Sequence, residues 1–379
     1  MFLDRVEASP SLELVNLVLN MQARGEKVYS LAIGEPSFDT PREIVDAAYK
    51  AMVSGDVHYT SSYGTMEFRD AASRKVKAKN GIKGGVDNVV FITTKLAVYA
   101  ALMAASQEPY EALIPDPGYF YSEPVVLSNG TPVYYRLNED FSLNLDEIRR
   151  KMSDRTRVII INSPSNPTGK VYSKSELAEL YELCRERGVY IISDEAYEDI
   201  VYSRPNFSVG SLEDEPDLVV TLFSLSKSYS MTGWRAGYLV GSKRIVYLVN
   251  KLLENTMTCF PPFIQHAAAY ALNHGDKFIE EFRREFAERR RIVYECLKDA
   301  DRVHLNEAEG AFYVFPRLSI QKSSTQFARD LLQKHNVALL PGVSFGPSGE
   351  GHVRISYAGS VEVLEEALNR FKTFLRDYQ

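Results

Sequence analysis

The chain has 379 residues, of which 45% are hydrophobic and 25% charged, with a formal net charge of −6. The length exceeds what one compact core holds, so two domains are expected, and the composition is that of an ordinary globular protein. The acidic balance and the lack of a dense Lys/Arg block exclude a general nucleic-acid surface.

The opening "MFLDRVEASP" places Asp4, Arg5 and Glu7 where a signal peptide needs an apolar core, and no run approaches the length of a membrane span. Cys184, Cys259 and Cys296 are sparse and far apart, which reads as free thiols without a disulfide frame or zinc spacing. A cytoplasmic protein with no metal, no membrane partner and no nucleic-acid partner is expected.

From about Asp87 to Val240, short apolar runs alternate with helical segments. The runs are "NVVFI", "EALIP", "PVYYRL", "RVIII", "VYIIS", "LVVTLF" and "AGYLV". Most are apolar throughout, as strands buried on both faces of a largely parallel sheet are. The clearest helix is "SKSELAELYELCRERG". Ser173 and Glu176 make a capping-box pattern, Leu177, Leu180, Tyr181 and Cys184 recur at helical spacing, and Gly188 is a stop. The link from "LVVTLF" to "AGYLV" is about a dozen residues with no helix pattern, barely enough for a parallel crossover, so the last strand is predicted antiparallel. The fold class is therefore α/β, a mostly parallel seven-stranded sheet between helices.

Past Asp276 the pattern changes. A long charged helix containing "EEFRREFAERRR" shows a solvated face. Then "AFYVFPRL", "VALLPG" and "HVRISYA" read as strands, and "VEVLEEALNRFKTFLRDY" as an amphipathic helix. The expected division is an N-terminal arm and part of a small domain over 1–40, a large domain over 41–280, and a small α+β domain over 281–379.

Ligands of open parallel sheets sit beyond the carboxyl ends of the strands. Five such ends carry "TTK", "PDPGYFY", "NSPSNPTG", "SDEAY" and "SLSK". Together they offer a helix N-terminus, aromatics, an asparagine, a carboxylate and a lysine, a set suited to a phosphate-bearing aromatic cofactor. Each has a plainer use: Asp194 as a helix cap, Lys227 as a surface lysine, "NSPSNPTG" as a turn. Joint placement at strand ends favours the site.

"NSPSNPTG", "SDEAYED" and "SLSKSYSMTGWRAGY", in this order, resemble the signatures of class I/II aminotransferases, pyridoxal-phosphate enzymes of fold type I that include aspartate and aromatic aminotransferases. The resemblance spans nearly the whole chain through "IGEPSFDTP", "HYTSSYGTMEFRDA" and "GHVRISYA". It implies a Schiff base between Lys227 and the cofactor aldehyde, with Lys227 also moving the substrate α-proton. Asp194 would pair with the pyridine nitrogen, Asn166 and Tyr197 with the phenolic oxygen, and Tyr119 would stack on the ring. Thr94, Lys95, Ser224 and Arg235 would hold the phosphate, joined by Tyr59 from the second subunit of a homodimer with shared sites. Arg354 would grip the substrate carboxylate, with Gly34 and Asn166 nearby. The chain departs from the family in carrying Thr93 and Thr94 where small residues, often glycine, are usual. It also has no arginine in "NTMTCFPPFIQ", where the strict dicarboxylate branch has one.

The implied activity is ping-pong transfer of an amino group from an L-amino acid, aspartate or aromatic, to a 2-oxo acid such as 2-oxoglutarate. Three other readings stand beside it. A lyase or decarboxylase could use the same scaffold, and a regulatory protein could hold the cofactor without turnover. Ser224 to Lys227 also spells S-x-x-K of penicillin-type hydrolases, but the chain has no K-T-G.

Overall fold

The computed structural model describes residues 2–6, 10–106 and 109–378; residues 1, 7–9, 107–108 and 379, which include part of the expected N-terminal arm, lie outside them. Strand β1 (Tyr29–Ser30) comes first. Then follow the strands of the central sheet: β2 (Val89–Phe91), β3 (Tyr110–Asp116), β4 (Gly130–Arg136), β5 (Thr156–Asn162), β6 (Tyr190–Asp194), β7 (Val219–Ser224) and β8 (Gly237–Val240). Their order across the sheet is β2-β8-β7-β6-β5-β3-β4. All seven apolar runs read from the sequence are present as strands.

Alternation along β5 shows why these runs carry so little polar character. Val158 and Ile160 join one core with Val98, Ala101 and Val220, while Ile159 and Ile161 join another with Leu177 and Leu180. Both faces are covered, so the middle of the strand, Val158 to Ile161, is apolar throughout. Strand β4 departs from that expectation, because it is mostly half-buried. It is one of the two edge strands, with a neighbour on one side only, whereas β2 at the other edge is buried at every position.

The helix Lys174–Arg187 starts as its sequence predicts. The Ser173 hydroxyl accepts the Glu176 N–H at 3.2 Å, and the Glu176 carboxylate accepts the Ser173 N–H at 2.8 Å. Gly188 ends it at φ 63°, a left-handed conformation that glycine adopts at no steric cost. Leu183 is buried in it, while Tyr181 is half-buried.

Strand β8 is antiparallel to both neighbours, β2 and β7. The link before it contains a single helical turn, Leu225–Ser228, which the sequence did not announce. Four residues are too few for hydrophobic periodicity to register. This topology has a consequence for the site. Because β8 runs backwards, it begins at the edge where β2, β3, β5, β6 and β7 end.

After the long helix Asp276–Leu297 come six short strands: β9 (Val303–His304), β10 (Tyr313–Val314), β11 (Arg317–Leu318), β12 (Val337–Ala338), β13 (Leu340–Pro341) and β14 (Val353–Ser356). β14 is central in an antiparallel sheet between β10 and β13, and β12 pairs in parallel with β1. The chain closes with the helix Val361–Asp377, which buries Leu364, Leu368 and Phe371. No helix of the described residues is long and apolar enough to cross a membrane.

Candidate active site

At the carboxyl edge of the sheet lies a cavity of about 310 Å³, within the range of small-molecule sites. The five strand-end loops converge on it. They bring Thr94 and Lys95 after β2, Tyr119 after β3, Asn166 after β5, Asp194 and Tyr197 at and after β6, and Ser224 and Lys227 at and after β7. Arg235 arrives just before β8, which the reversed direction of that strand explains. Gly34 comes from the segment after β1, and Arg354 from β14. Tyr59 is not part of this lining and lies 87% exposed on the surface.

Lys227 sits in the helical turn after β7, and its Nζ donates to the Gly34 carbonyl at 2.6 Å. Burial pushes its pKa down to about 8; Glu35 pulls it up, and the positive charges of Arg354 and Arg235 lower it further. Gly34 is fixed by close approach. A Cβ there would lie 2.0 Å from the Tyr313 hydroxyl.

A turn, not a helix, follows Asp194, so the carboxylate caps no helix. Its Oδ1 accepts the Ala196 N–H at 3.1 Å, and its Oδ2 accepts the Tyr121 hydroxyl at 2.8 Å. Burial raises its pKa, against the pull of those two bonds. It is the one carboxylate among the described residues that line the cavity, against the cations Lys95, Lys227, Arg235 and Arg354.

Arg354 is 3% exposed on a strand buried at every position, so it is not a surface-strand arginine. Its guanidinium lies 4.4 Å from the Tyr313 ring centroid. Nη1 donates to Asn166 Oδ1 at 3.1 Å, Nη2 to the Ala32 carbonyl, and the buried Nε has no partner. Asn166 Nδ2 faces the Tyr197 hydroxyl at 3.4 Å, and that hydroxyl meets the Tyr313 hydroxyl at 3.0 Å. Burial holds the Tyr197 phenol well above its ordinary pKa. It also pushes Tyr119 up to about 12.

Thr93 and Thr94 open the helix Thr94–Ala105, whose first turn faces the cavity. The Thr94 hydroxyl donates to the Phe223 carbonyl at 3.3 Å. A helix start leaves its first backbone N–H groups unpaired within the helix. Ser224 Oγ accepts the Ser226 N–H at 3.3 Å. Arg235 has φ 58°, an uncommon conformation for a residue with a side chain, and its Nη1 donates to the Thr232 carbonyl at 2.7 Å.

Tyr121, Asn162 and Tyr313 are among the lining residues that the sequence did not mark as functional. Tyr121 and Asn162 lie inside stretches already singled out, at the Asp194 carboxylate and at its backbone carbonyl, to which Asn162 Nδ2 donates at 2.9 Å. Tyr313 lies in "GAFYVFP", where an aromatic in an apolar run reads as core.

Residues 26–371 match the family described as aminotransferase class I and II. An aspartate aminotransferase of Pyrococcus abyssi is 37% identical over 99% of this chain and 97% of its own length. An aromatic-amino-acid aminotransferase of Thermococcus litoralis is 37% identical over 97% of this chain and 98% of its own length. The solved structure of the Thermus thermophilus aspartate aminotransferase with maleate superposes with a TM-score of 0.94 at 30% identity, covering 98% of each chain. The chain belongs to the class I and II aminotransferases.

Proposed function

We propose that this aminotransferase carries pyridoxal 5'-phosphate in the cavity and moves the amino group of L-aspartate or an aromatic L-amino acid to a 2-oxo acid such as 2-oxoglutarate. The observation that carries the reading is a mismatch of charge. Four cations and a helix start face one space, and among the described residues the carboxylate there is bonded to Tyr121 and Ala196 and to no cation. Such a lining fits a ligand with two anionic groups and one cationic ring nitrogen, which is what the cofactor together with an amino acid presents.

When bound, the cofactor supplies an electron-accepting ring that stabilises negative charge at the substrate α-carbon. The chain does the rest. Asp194 holds a proton on the ring nitrogen, because a buried carboxylate favours a cation beside it. Arg235, Ser224 and the N–H groups at Thr94 and Lys95 hold the phosphate. Asn166 and Tyr197 would donate to the phenolic oxygen, and Tyr119 would hold the ring in place. Arg354 binds the substrate carboxylate through the guanidinium N–H groups that its bonds to Ala32 and Asn166 leave over, Nε among them. Burial lowers the Lys227 pKa to about 8, so its Nζ gives up its proton more readily than an exposed lysine does and can take the α-proton and return it.

The same reading divides the chain into a cofactor-binding unit over 41–280 and a smaller unit from 1–40 and 281–379. It also makes the protein a cytoplasmic homodimer in which Tyr59 reaches the partner's phosphate site. The exposed Tyr49, Met52, Val53, Val57 and Met66 near Tyr59 in sequence support a covered face. An amino-donor panel with 2-oxoglutarate as acceptor tests the substrate class. With a donor alone, the holoenzyme should convert its cofactor once and stop; sustained ammonia release would overturn transamination in favour of the lyase reading.

A further inference from the structure

The segment from Gly34 to Thr40 touches the active site at one end only, yet both of its flanks are bonded to catalytic elements. On one flank lies the lysine loop. Ser230 Oγ donates to the Phe38 carbonyl, Thr40 Oγ1 donates to the Ser230 carbonyl at 2.6 Å, and Trp234 Nε1 donates to Thr40 Oγ1 at 3.0 Å. Thr232 donates to the Glu35 carboxylate.

On the other flank lies the chain just past β14. The Ser37 N–H donates to the Ala358 carbonyl at 3.0 Å. Arg289, from the long helix Asp276–Leu297, bridges the two, because its Nη1 donates both to Ser37 Oγ at 3.0 Å and to the Ala358 carbonyl at 2.8 Å. The same guanidinium lies 4.4 Å from the Phe38 ring centroid, and Phe38 stacks on Phe282 at 4.5 Å. Arg289 is 5% exposed, so its charge is committed to this contact.

We propose that residues 34–40 form a strap joining the Lys227 loop to the Arg354 strand, and that Arg289 is the positioning residue that fastens it. The inference rests on the roles proposed above for Lys227 and Arg354. At its inner end the strap's backbone runs on into the carbonyls of Gly34 and Ala32, which receive Lys227 Nζ and Arg354 Nη2. Both cations are thus registered against one piece of backbone. Arg289 touches neither the cavity nor either cation, and acts through Ser37 and Phe38. Loosening it lets Gly34 and Ala32 drift, and small misplacements at a reacting centre are costly. Of the phosphate grip, the start of the helix Thr94–Ala105 lies off the strap, while Arg235 shares the Lys227 loop and bonds to Thr232.

The test uses the holoenzyme with whichever donor it turns over. Arg289→Met and Ser37→Ala are each expected to raise the donor KM, about tenfold for Arg289→Met and less for Ser37→Ala, with smaller changes in kcat and in affinity for the cofactor. Trp234 is the chain's single tryptophan and is bonded to the strap, so its emission should shift in both variants. Arg289→Lys, which keeps one donor, should recover part of each change. Wild-type KM and emission in Ser37→Ala and Arg289→Lys would overturn the strap even if Arg289→Met failed to fold. A raised KM with unchanged Trp234 emission would also overturn it, since the effect would then not pass through the strap. Arg354→Ala separates the two levels. If that variant kept wild-type kcat/KM for every donor, the underlying reading would fall. If it lost the donors while the strap variants behaved as wild type, the strap alone would fall.

Discussion

Replacing Asp194 by asparagine keeps the shape of the side chain and removes one buried charge. The residue is 6% exposed and holds the Ala196 N–H and the Tyr121 hydroxyl. An amide oxygen can keep one of these bonds, and the phenol can turn to accept from the amide nitrogen, so the fold should survive. What is lost is the attraction between a carboxylate and a protonated ring nitrogen. At about 4 Å and an effective dielectric constant of about 20, that attraction is about 4 kcal/mol. At about 1.4 kcal/mol per factor of ten, the step in which the α-proton leaves should slow by about 10²–10³-fold. Stopped-flow absorbance of the bound cofactor, mixed with saturating donor and no 2-oxo acid, reads that step directly. A second readout comes from the cofactor-free protein. Burial raises the Asp194 pKa, so its contribution to stability is present at acid pH and is lost as pH rises past the raised value. The asparagine variant escapes that loss, and its cofactor-free form should melt higher than wild type at neutral pH. If Asp194 served only as an acceptor for Ala196 and Tyr121, asparagine would do nearly as well. A near-normal half-reaction rate in the variant would refute the charge argument.

Borohydride reduction of the holoenzyme should fix the cofactor on Lys227, read by peptide mapping, and Lys227→Ala should retain the cofactor without that link and lose at least about 10²–10⁴-fold in turnover. In the cofactor-free protein the lowered Lys227 pKa means that stability rises with pH between about 8 and the ordinary value of 10.5, and Lys227→Met should flatten that rise in a series of melting curves. Arg354→Ala removes two charge-assisted bonds of about 1.5–3 kcal/mol each, so kcat/KM should fall about a hundredfold or more for every donor; an unchanged value would deny it the carboxylate. Behind Asp194, burial first and then the Glu198 charge push Glu195 up to about 8 from 4.5. Its contribution to stability is therefore full below about 4.5 and lost as pH rises through about 8, and Glu195→Gln should flatten the decline in melting temperature over that window.

Much of the fold and most of the site were legible from local chemistry. Seven apolar runs became seven strands because a strand covered on both faces is mostly apolar, and β4 deviated at one edge of the sheet. The capping box at Ser173 and the stop at Gly188 are satisfied within a few residues, so sequence alone specifies them. The residues that line the cavity were visible because strand ends lie at fixed places in the chain, and because a lysine, a carboxylate and an asparagine follow closely on the apolar runs that end there.

Tertiary structure decided what depends on contacts distant in sequence. Tyr313 and Tyr121 are aromatics in apolar or aromatic stretches, and only the packing shows their hydroxyls turned toward Tyr197 and Asp194. The use of Asp194 as a helix cap fell only when a turn was seen to follow it. The joining of Lys227 to Gly34 spans 193 residues, and that of Arg354 to Ala32 spans 322. Local sequence records the propensity of a segment to be strand, helix or turn, because those states are set by near neighbours along the chain. Which charges lose their water, and which carbonyl each one meets instead, is set by elements brought together only on folding.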